Sequence, residues 1–277
     1  MCTADSLSAT AAAALLARLA GLGGLVVAFS GGVDSAVVLA GAIRALGPDA
    51  VLAVIADSPS LAGAELATAR RVAGQIGAEL VELPTSEHAD PGYQANAGNR
   101  CYFCKRTVLG AVRDLARNRG FSHVATGTHL DDRRAAHRPG LRAAAELAVC
   151  EPLAEVGATK QTVRLLAARW GLSVQDKPST PCLASRIAVG VPVTVDRLAL
   201  VERAELAAGD YLAGHQVPVR DLRVRLLGRA GFRVELDQPA LERVGSDVRA
   251  GLLMRVAEAG LGGQGDLARY HSGSLSG

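Results

Sequence analysis

One run near the N-terminus limits the fold more than any other stretch. Leu25-Val26-Val27-Ala28-Phe29 is an apolar segment of strand length, Ser30-Gly31-Gly32-Val33-Asp34-Ser35 is a tight polar turn, and residues 36–46 carry a helical pattern closed by Gly47-Pro48. Residues 51–56 then read as a second apolar strand, 61–76 as a helix closed by Gly77, and 78–83 as a third strand. The β-α-β-α-β alternation predicts an α/β fold built on a doubly wound parallel sheet.

Further along, the polar stretch 90–99 leads into a predicted helix over 101–119, and residues 123–127 add a fourth strand. A helix over 161–170 ends at Gly171, and Thr180-Pro181-Cys182-Leu183-Ala184-Ser185-Arg186 reads as an inter-domain hinge. Beyond it a helix over 195–212, a strand pair over 221–227 and 232–236, and a helix over 240–259 form a smaller α+β appendage. The expected layout is a nucleotide domain over 1–188 and a C-terminal substrate or oligomerisation domain over 189–277.

Composition narrows the function classes. The formal net charge is only +3, and the basic residues are mostly scattered arginines, without dense basic blocks or aromatic platforms. A small-molecule partner is expected, and no nucleic acid. The first 24 residues lack a basic leader and place leucines at helical spacing, and no apolar run reaches bilayer length, so a cytoplasmic protein with no membrane partner is expected. Five cysteines, an odd number, argue for metal binding or catalysis over a disulfide framework.

The turn itself points to phosphate. Gly31 and Gly32 let the backbone approach an anion closely, and the helix that follows offers free N–H donors. No lysine stands at the Walker A spacing, so cleavage between the α and β phosphates is the more natural chemistry. The run Phe29 to Ser35 resembles the PP-loop of the N-type ATP pyrophosphatases, a resemblance that implies ATP binding by Ser30, Gly31, Gly32, Val33, Asp34 and Ser35, adenylated intermediates and pyrophosphate release. Asp131 and Asp132, just past Gly127-Thr128 at a predicted strand end, are candidates for Mg²⁺ or phosphate contacts; by position alone they read equally as solvated loop residues.

Arg100-Cys101-Tyr102-Phe103-Cys104-Lys105-Arg106 sets two thiols at CxxC spacing among three cationic side chains. No second CxxC or CxxH completes a closed zinc site. Cys182 is the third thiol, and three thiolates could hold a 4Fe-4S cluster with one iron open to carry sulfide. A redox thiol pair and buried structural cysteines remain open readings of the same residues. Cys2 and Cys150 have no partner spacing.

From the loop to the C-terminus the chain resembles the LarE family of ATP-dependent sulfur transferases. The resemblance rests on Ser30 to Ser35, Ala56-Asp57-Ser58-Pro59-Ser60, Asn99 to Lys105, Gly127-Thr128 with Asp131-Asp132, and Arg138-Pro139-Gly140-Leu141. It continues through Asp176-Lys177-Pro178, Cys182 to Arg186, Arg223-Val224-Arg225 and Ser272-Gly273. It implies a role in nickel-pincer nucleotide biosynthesis, with pyridinium-3,5-biscarboxylic acid mononucleotide as the small-molecule substrate. Its carboxylates would be adenylated and then converted to thiocarboxylates. It further implies nucleotide contacts at Asp57, Ser58 and Gly127, and an iron–sulfur cluster on Cys101, Cys104 and Cys182. Arg223 and Arg225 would act on a substrate oxyanion, Mg-ATP would be the co-substrate, and the chain would form a homo-oligomer. The sequence departs from the family pattern at residues 133–137, which replace a more acidic stretch, and at His271, where arginine is usual. The rival readings are a tRNA thiolase, a form that sacrifices Cys182 as sulfur donor, an amidating PP-loop ligase, and a regulator that binds ATP without turnover.

Overall fold

The computed structural model describes residues 4–134 and 139–271. Cys2, Arg138, the 135–137 part of the divergent loop and Ser272-Gly273 lie outside the described residues. In chain order the elements begin α1 (Ala4–Ala20), β1 (Leu25–Ala28), α2 (Val33–Leu46), β2 (Val51–Asp57), α3 (Gly63–Ile76) and β3 (Glu79–Pro84). There follow α4 (Pro91–Ala95), α5 (Arg100–Asn118), β4 (Val124–Ala125), α6 (Leu130–Arg134), α7 (Pro139–Glu146), α8 (Pro152–Glu155) and α9 (Lys160–Arg169). The chain ends with α10 (Val195–Gly214), β5 (Leu222–Leu226), β6 (Phe232–Leu236), α11 (Gln238–Arg243), α12 (Ser246–Glu258) and β7 (Gly265–Arg269). These elements fall into two compact units, Met1–Glu87 with Cys101–Ser179, and His88–Arg100 with Thr180–Gly277.

The first unit is the expected doubly wound α/β layer. Its sheet runs β3-β2-β1-β4 with every pair parallel. Side chains alternate across it. Leu25 and Val27 of β1 join Leu15, Leu39, Val72 and Leu166 from α1, α2, α3 and α9 in one apolar layer. Val26 faces the other way, with Leu52 and Val54, onto Val112 and Ala116 of α5. Strands buried on both faces need near-continuous apolar runs, which is what residues 25–29 and 51–56 supply.

The second unit carries the three-stranded sheet β5-β6-β7, antiparallel then parallel. Val224, Val234 and Leu236 pack with Ala204 and Leu212 of α10 and Leu252 and Val256 of α12. The alternate positions, Arg223, Arg225 and Glu235, are buried on the opposite face. Residues 88–100 belong to this unit because Asn96 ties them in: its buried side-chain amide donates to the carbonyls of Ile187, Ala188 and Val191.

Two details differ from the expectation. Residues 240–259 form two helices, because Asp237 caps α11 through the Ala240 N–H and Gly245 stands in extended backbone before α12. The strand β7 pairs with β6 although its Gly-Asp-Leu-Ala-Arg sequence carries little β propensity; Gly231 and Gly263 permit the close backbone approach, since a Cβ on Gly231 would lie 2.1 Å from the Gln264 carbonyl oxygen.

Candidate active site

In the order β3-β2-β1-β4, the connections from β1 run to one side while β4 lies on the other, so the order of the parallel strands switches sides between β1 and β4. Doubly wound sheets hold ligands outside the carboxyl ends of their strands at this point. The Ser30–Ser35 turn leaves β1 here, and Gly127 leaves β4 beside it.

Local bonding shapes the turn. Ser35 is buried; its Oγ accepts from the Ser30 N–H at 3.2 Å and donates to the Gly32 carbonyl at 3.1 Å. Gly31 has φ +68°, and a Cβ there would come to 3.0 Å from Cα and Cβ of Ala69 on α3. Gly127 is tighter still, since its Cβ would sit 2.6 Å from the Ser35 nitrogen and 2.8 Å from the Asp34 carbonyl carbon. Both glycines are therefore packing requirements, and together they seat the first turn of α2. Gly32 caps that helix without any side-chain acceptor. The first-turn N–H groups have no intrahelical partners and, with the helix dipole, favour an anion.

Asp34 is not left alone in this turn. The Lys160 ammonium donates to both of its oxygens at 2.7 Å, and the Lys160 backbone N–H donates to Asp131 Oδ2 at 2.8 Å. Lys160 opens α9, where Thr159 is the N-cap and accepts from the Thr162 N–H. A residue outside the expected set thus joins the loop carboxylate to the Gly127 edge. Its signal in the sequence is compositional: it is one of three lysines among 30 basic residues, placed directly after a helix cap.

Asp131 is exposed, whereas Asp132 turns inward, its Oδ2 lying 3.3 Å from the His129 N–H and 3.4 Å from Nε2 of the buried His129 ring. Asp57 and Ser58 end β2, the strand beside β1. Ser58 is buried against Glu87 at 2.5 Å, and Asp57 is exposed at the edge.

The CxxC pair occupies the first turn of α5, where the spacing of three places both thiols on one helix face; Cys101 is exposed and Cys104 half-buried. The following α7 packs onto this turn, with Gly140 so close that a Cβ would lie 3.2 Å from Lys105 Cγ and 3.4 Å from the Cys101 carbonyl. Two motif blocks distant in the sequence are thereby joined, Cys101 to Lys105 and Pro139 to Leu141. Arg106 lies over the rings of Tyr102 and Phe103, and Arg142 over Tyr102. Cys150 bridges β4 through its backbone, and burial pushes its thiol up from the usual range.

In the second unit Cys182 is exposed at the start of a short 3-10 turn over Leu183–Arg186. Arg186, almost wholly buried, donates to the carbonyls of Pro181 and Cys182 and forks onto Glu205 at 2.9 and 3.2 Å. Arg225 donates to the Ser185 carbonyl and to Glu235, each at 2.9 Å. Arg223 lies with its guanidinium 5.2 Å from the centre of the Tyr270 ring, and burial together with the Arg186 charge brings it below the usual arginine range. An open cleft of about 590 Å³ in this unit is walled by Arg220, Asp237, Arg243, Arg269 and Tyr270 among others; none of the expected site residues lines it. Cys101 and Cys104 belong to one unit and Cys182 to the other, and among the described residues no three His, Cys, Asp or Glu side chains gather as a metal-binding group.

The family model described as NAD synthase matches residues 16–103, which contain the loop. An uncharacterized protein of Synechocystis sp. is 38% identical over 252 residues, 90% of this chain and 91% of the relative. The pyridinium-3,5-bisthiocarboxylic acid mononucleotide synthase of Lactiplantibacillus plantarum is 34% identical over 197 residues, 71% of each chain. The tRNA-specific 2-thiouridylase MnmA of Caulobacter sp. is 31% identical over 195 residues, 56% of this chain and 47% of the relative. Sheet, loop and relatives together define a PP-loop protein of the ATP pyrophosphatase type that uses ATP with Mg²⁺ to transfer sulfur. Within that class the chain belongs to the LarE family. Among the described residues no helix is long and apolar enough to cross a membrane.

Proposed function

We propose that the protein adenylates the carboxylates of pyridinium-3,5-biscarboxylic acid mononucleotide and replaces an oxygen of each with sulfur. The observation that supports this most directly is the loop: an uncapped helix N-terminus at the sheet's switch point, with Lys160 beside it, suits a polyphosphate whose terminal pair is the leaving group. The first-turn N–H groups of α2 and the Lys160 ammonium hold the β and γ phosphates and take up the charge that develops as pyrophosphate leaves. A substrate carboxylate oxygen attacks the α-phosphorus, the bond to the bridging oxygen breaks, and acyl-adenylate and pyrophosphate result. Asp34 keeps Lys160 in place. Asp131 and Asp132 follow Gly127 at the same edge and would be the carboxylates for Mg²⁺, which would neutralise phosphate charge.

A sulfur nucleophile then attacks the acyl carbon and AMP leaves. Neither step needs a general base, because the carboxylate and the sulfur arrive as anions. The donor set fits a cluster in kind: Cys101, Cys104 and Cys182 are three thiols with at least partial exposure, and they would hold the 4Fe-4S cluster. When bound, the cluster would supply sulfide. Arg186 and Arg225 fix the carbonyls around Cys182, and Arg223, next to Tyr270, is the guanidinium proposed to meet the substrate phosphate. A soluble cytoplasmic homo-oligomer without a nucleic-acid partner completes the reading.

The test is anaerobic turnover with ATP and the biscarboxylate, following pyrophosphate and product mass. Pyrophosphate release that depends on the biscarboxylate, and is lost in Asp34→Asn, is expected. ATP left intact would overturn the adenylation. Iron in the wild type that falls in the Cys101→Ala, Cys104→Ala and Cys182→Ala variants supports the cluster. Turnover without iron, with Cys182 losing the mass of H₂S, replaces the cluster by a sacrificed cysteine.

A further inference from the structure

Just past β3 lies a carboxylate that none of the motifs includes. Glu87 is 1% exposed, and among the described residues its side chain is held by three hydroxyl groups. Oε1 accepts from Ser58 Oγ at 2.5 Å and Ser60 Oγ at 3.0 Å, and Oε2 accepts from Thr85 Oγ1 at 2.8 Å. Among the described residues no cation pairs with it. Burying a carboxylate among neutral donors costs free energy that an apolar residue of similar size would not cost, so stability alone does not account for it. What it does supply is direction. The hydroxyls of Ser58, Ser60 and Thr85 converge on its two oxygens, and Ser58 Oγ and Ser60 Oγ also lie 2.9 Å from each other, so the rotors of Ser58 and Ser60 are held in one cage. The Ser58 oxygen in turn accepts from the Ser60 N–H, and the Ser58 carbonyl accepts from the Leu61 N–H.

The loop so fixed starts at Asp57, at the carboxyl end of β2. That strand is the immediate neighbour of β1, whose carboxyl end opens into the phosphate loop. Phosphates seated at β1 leave the nucleoside of the same nucleotide to lie along the adjoining strand ends. The Asp57 carboxylate is exposed there, and a carboxylate can accept from sugar hydroxyls.

We propose that Glu87 is a positioning residue for the nucleoside half of the ATP site: its hydroxyl cage holds the Asp57–Leu61 loop in the form that receives adenosine, while the phosphate half is built without it. This rests on the ATP reading above. The test is calorimetric binding of ATP, AMP and Mg-pyrophosphate to the full chain, wild type against Glu87→Gln and Ser58→Ala. Glu87→Gln keeps the shape but turns a donor toward the hydroxyls. Ser58→Ala removes a single cage member, and carries the same comparison if the first variant does not fold. Expected is an about tenfold weaker binding of ATP and AMP in both variants, with Mg-pyrophosphate unchanged within about twofold. Parallel weakening of all three ligands, or of none, overturns the proposal and leaves ATP use standing. A wild type that binds none of the three overturns the ATP reading and this proposal with it.

Discussion

Lys160 and Asp34 form an ion pair with both side chains about a third exposed, at 34% and 30%. Such a pair contributes about 0–1 kcal/mol to stability, while a donor aimed at a leaving group is worth about 100-fold or more in rate. Lys160→Ala is therefore expected to shift the melting temperature by no more than a few degrees and to slow ATP-dependent pyrophosphate release about 100-fold; a large loss of stability with little loss of rate would make the pair structural. Gly127→Ala works in the opposite sense. A methyl 2.6 Å from the Ser35 nitrogen must push the first turn of α2 aside, so ATP binding and the melting temperature should fall together in a titration and a thermal melt. Cys150 is expected to alkylate far more slowly than Cys182 at pH 8 in the cluster-free protein, as mass spectrometry of the peptides would show, because burial raises its pKa and keeps it as the unreactive thiol. The turn from Ser30 to Ser35 is legible in the sequence as a strand-to-helix turn because its bonding is local. Lys160 and Glu87 are not, since each acts on partners that are distant in the chain: Asp34 lies 126 positions away, and Ser58 lies 29.

At the scale of elements, helix α5 has to bring the thiols and still pack on the sheet, and it carries a glycine in its middle. A Cβ on Gly110 would meet nothing within 4 Å. Gly110→Ala is thus expected to stabilise the protein by up to about 1 kcal/mol in denaturant unfolding, with turnover unchanged. Long apolar strands and helices such as residues 51–57 and 195–214 could be read from pattern because their periodicity reports burial directly. The two-residue β4 could be read only because Gly127-Thr128 followed an apolar run. The strand β7 could not be read from pattern: Gly265 and Asp266 are poor strand formers, and their pairing comes from β6 and from Arg233, which forks onto Asp266 at 2.9 and 3.0 Å. The helix expected over 240–259 was divided for a similar reason, since an Asp237 cap and a glycine at 245 are weak signals inside an otherwise helical composition.

For the whole molecule, chain order and folding unit do not coincide. A linear reading cuts the chain once near the hinge, yet residues 88–100 fold with the C-terminal unit although they sit between two stretches of the first. The polar composition of 90–99 reads as a loop, and the bond that recruits it is long-range. Asn96, 1% exposed and at φ +49°, aims its amide at three carbonyls about ninety positions further on, while its own carbonyl accepts from Gly190 and that of Gln94 accepts from Val193. Of those carbonyls Ile187's is buried and the other two are half-buried, and leaving a buried carbonyl unmet costs about 1–3 kcal/mol. A fragment beginning at Thr180 would retain β5, β6, β7, α10 and α12 but lose this strap. It is expected to show helix without a cooperative melt, and to regain the melt when a peptide spanning 88–100 is added or joined to its N-terminus. Asn96→Ala in the full chain should reproduce part of the loss, by about 2–4 kcal/mol, because alanine neither supplies the donors nor favours positive φ. A fragment that melts cooperatively without the peptide would show that the strap is a passenger on a unit already complete.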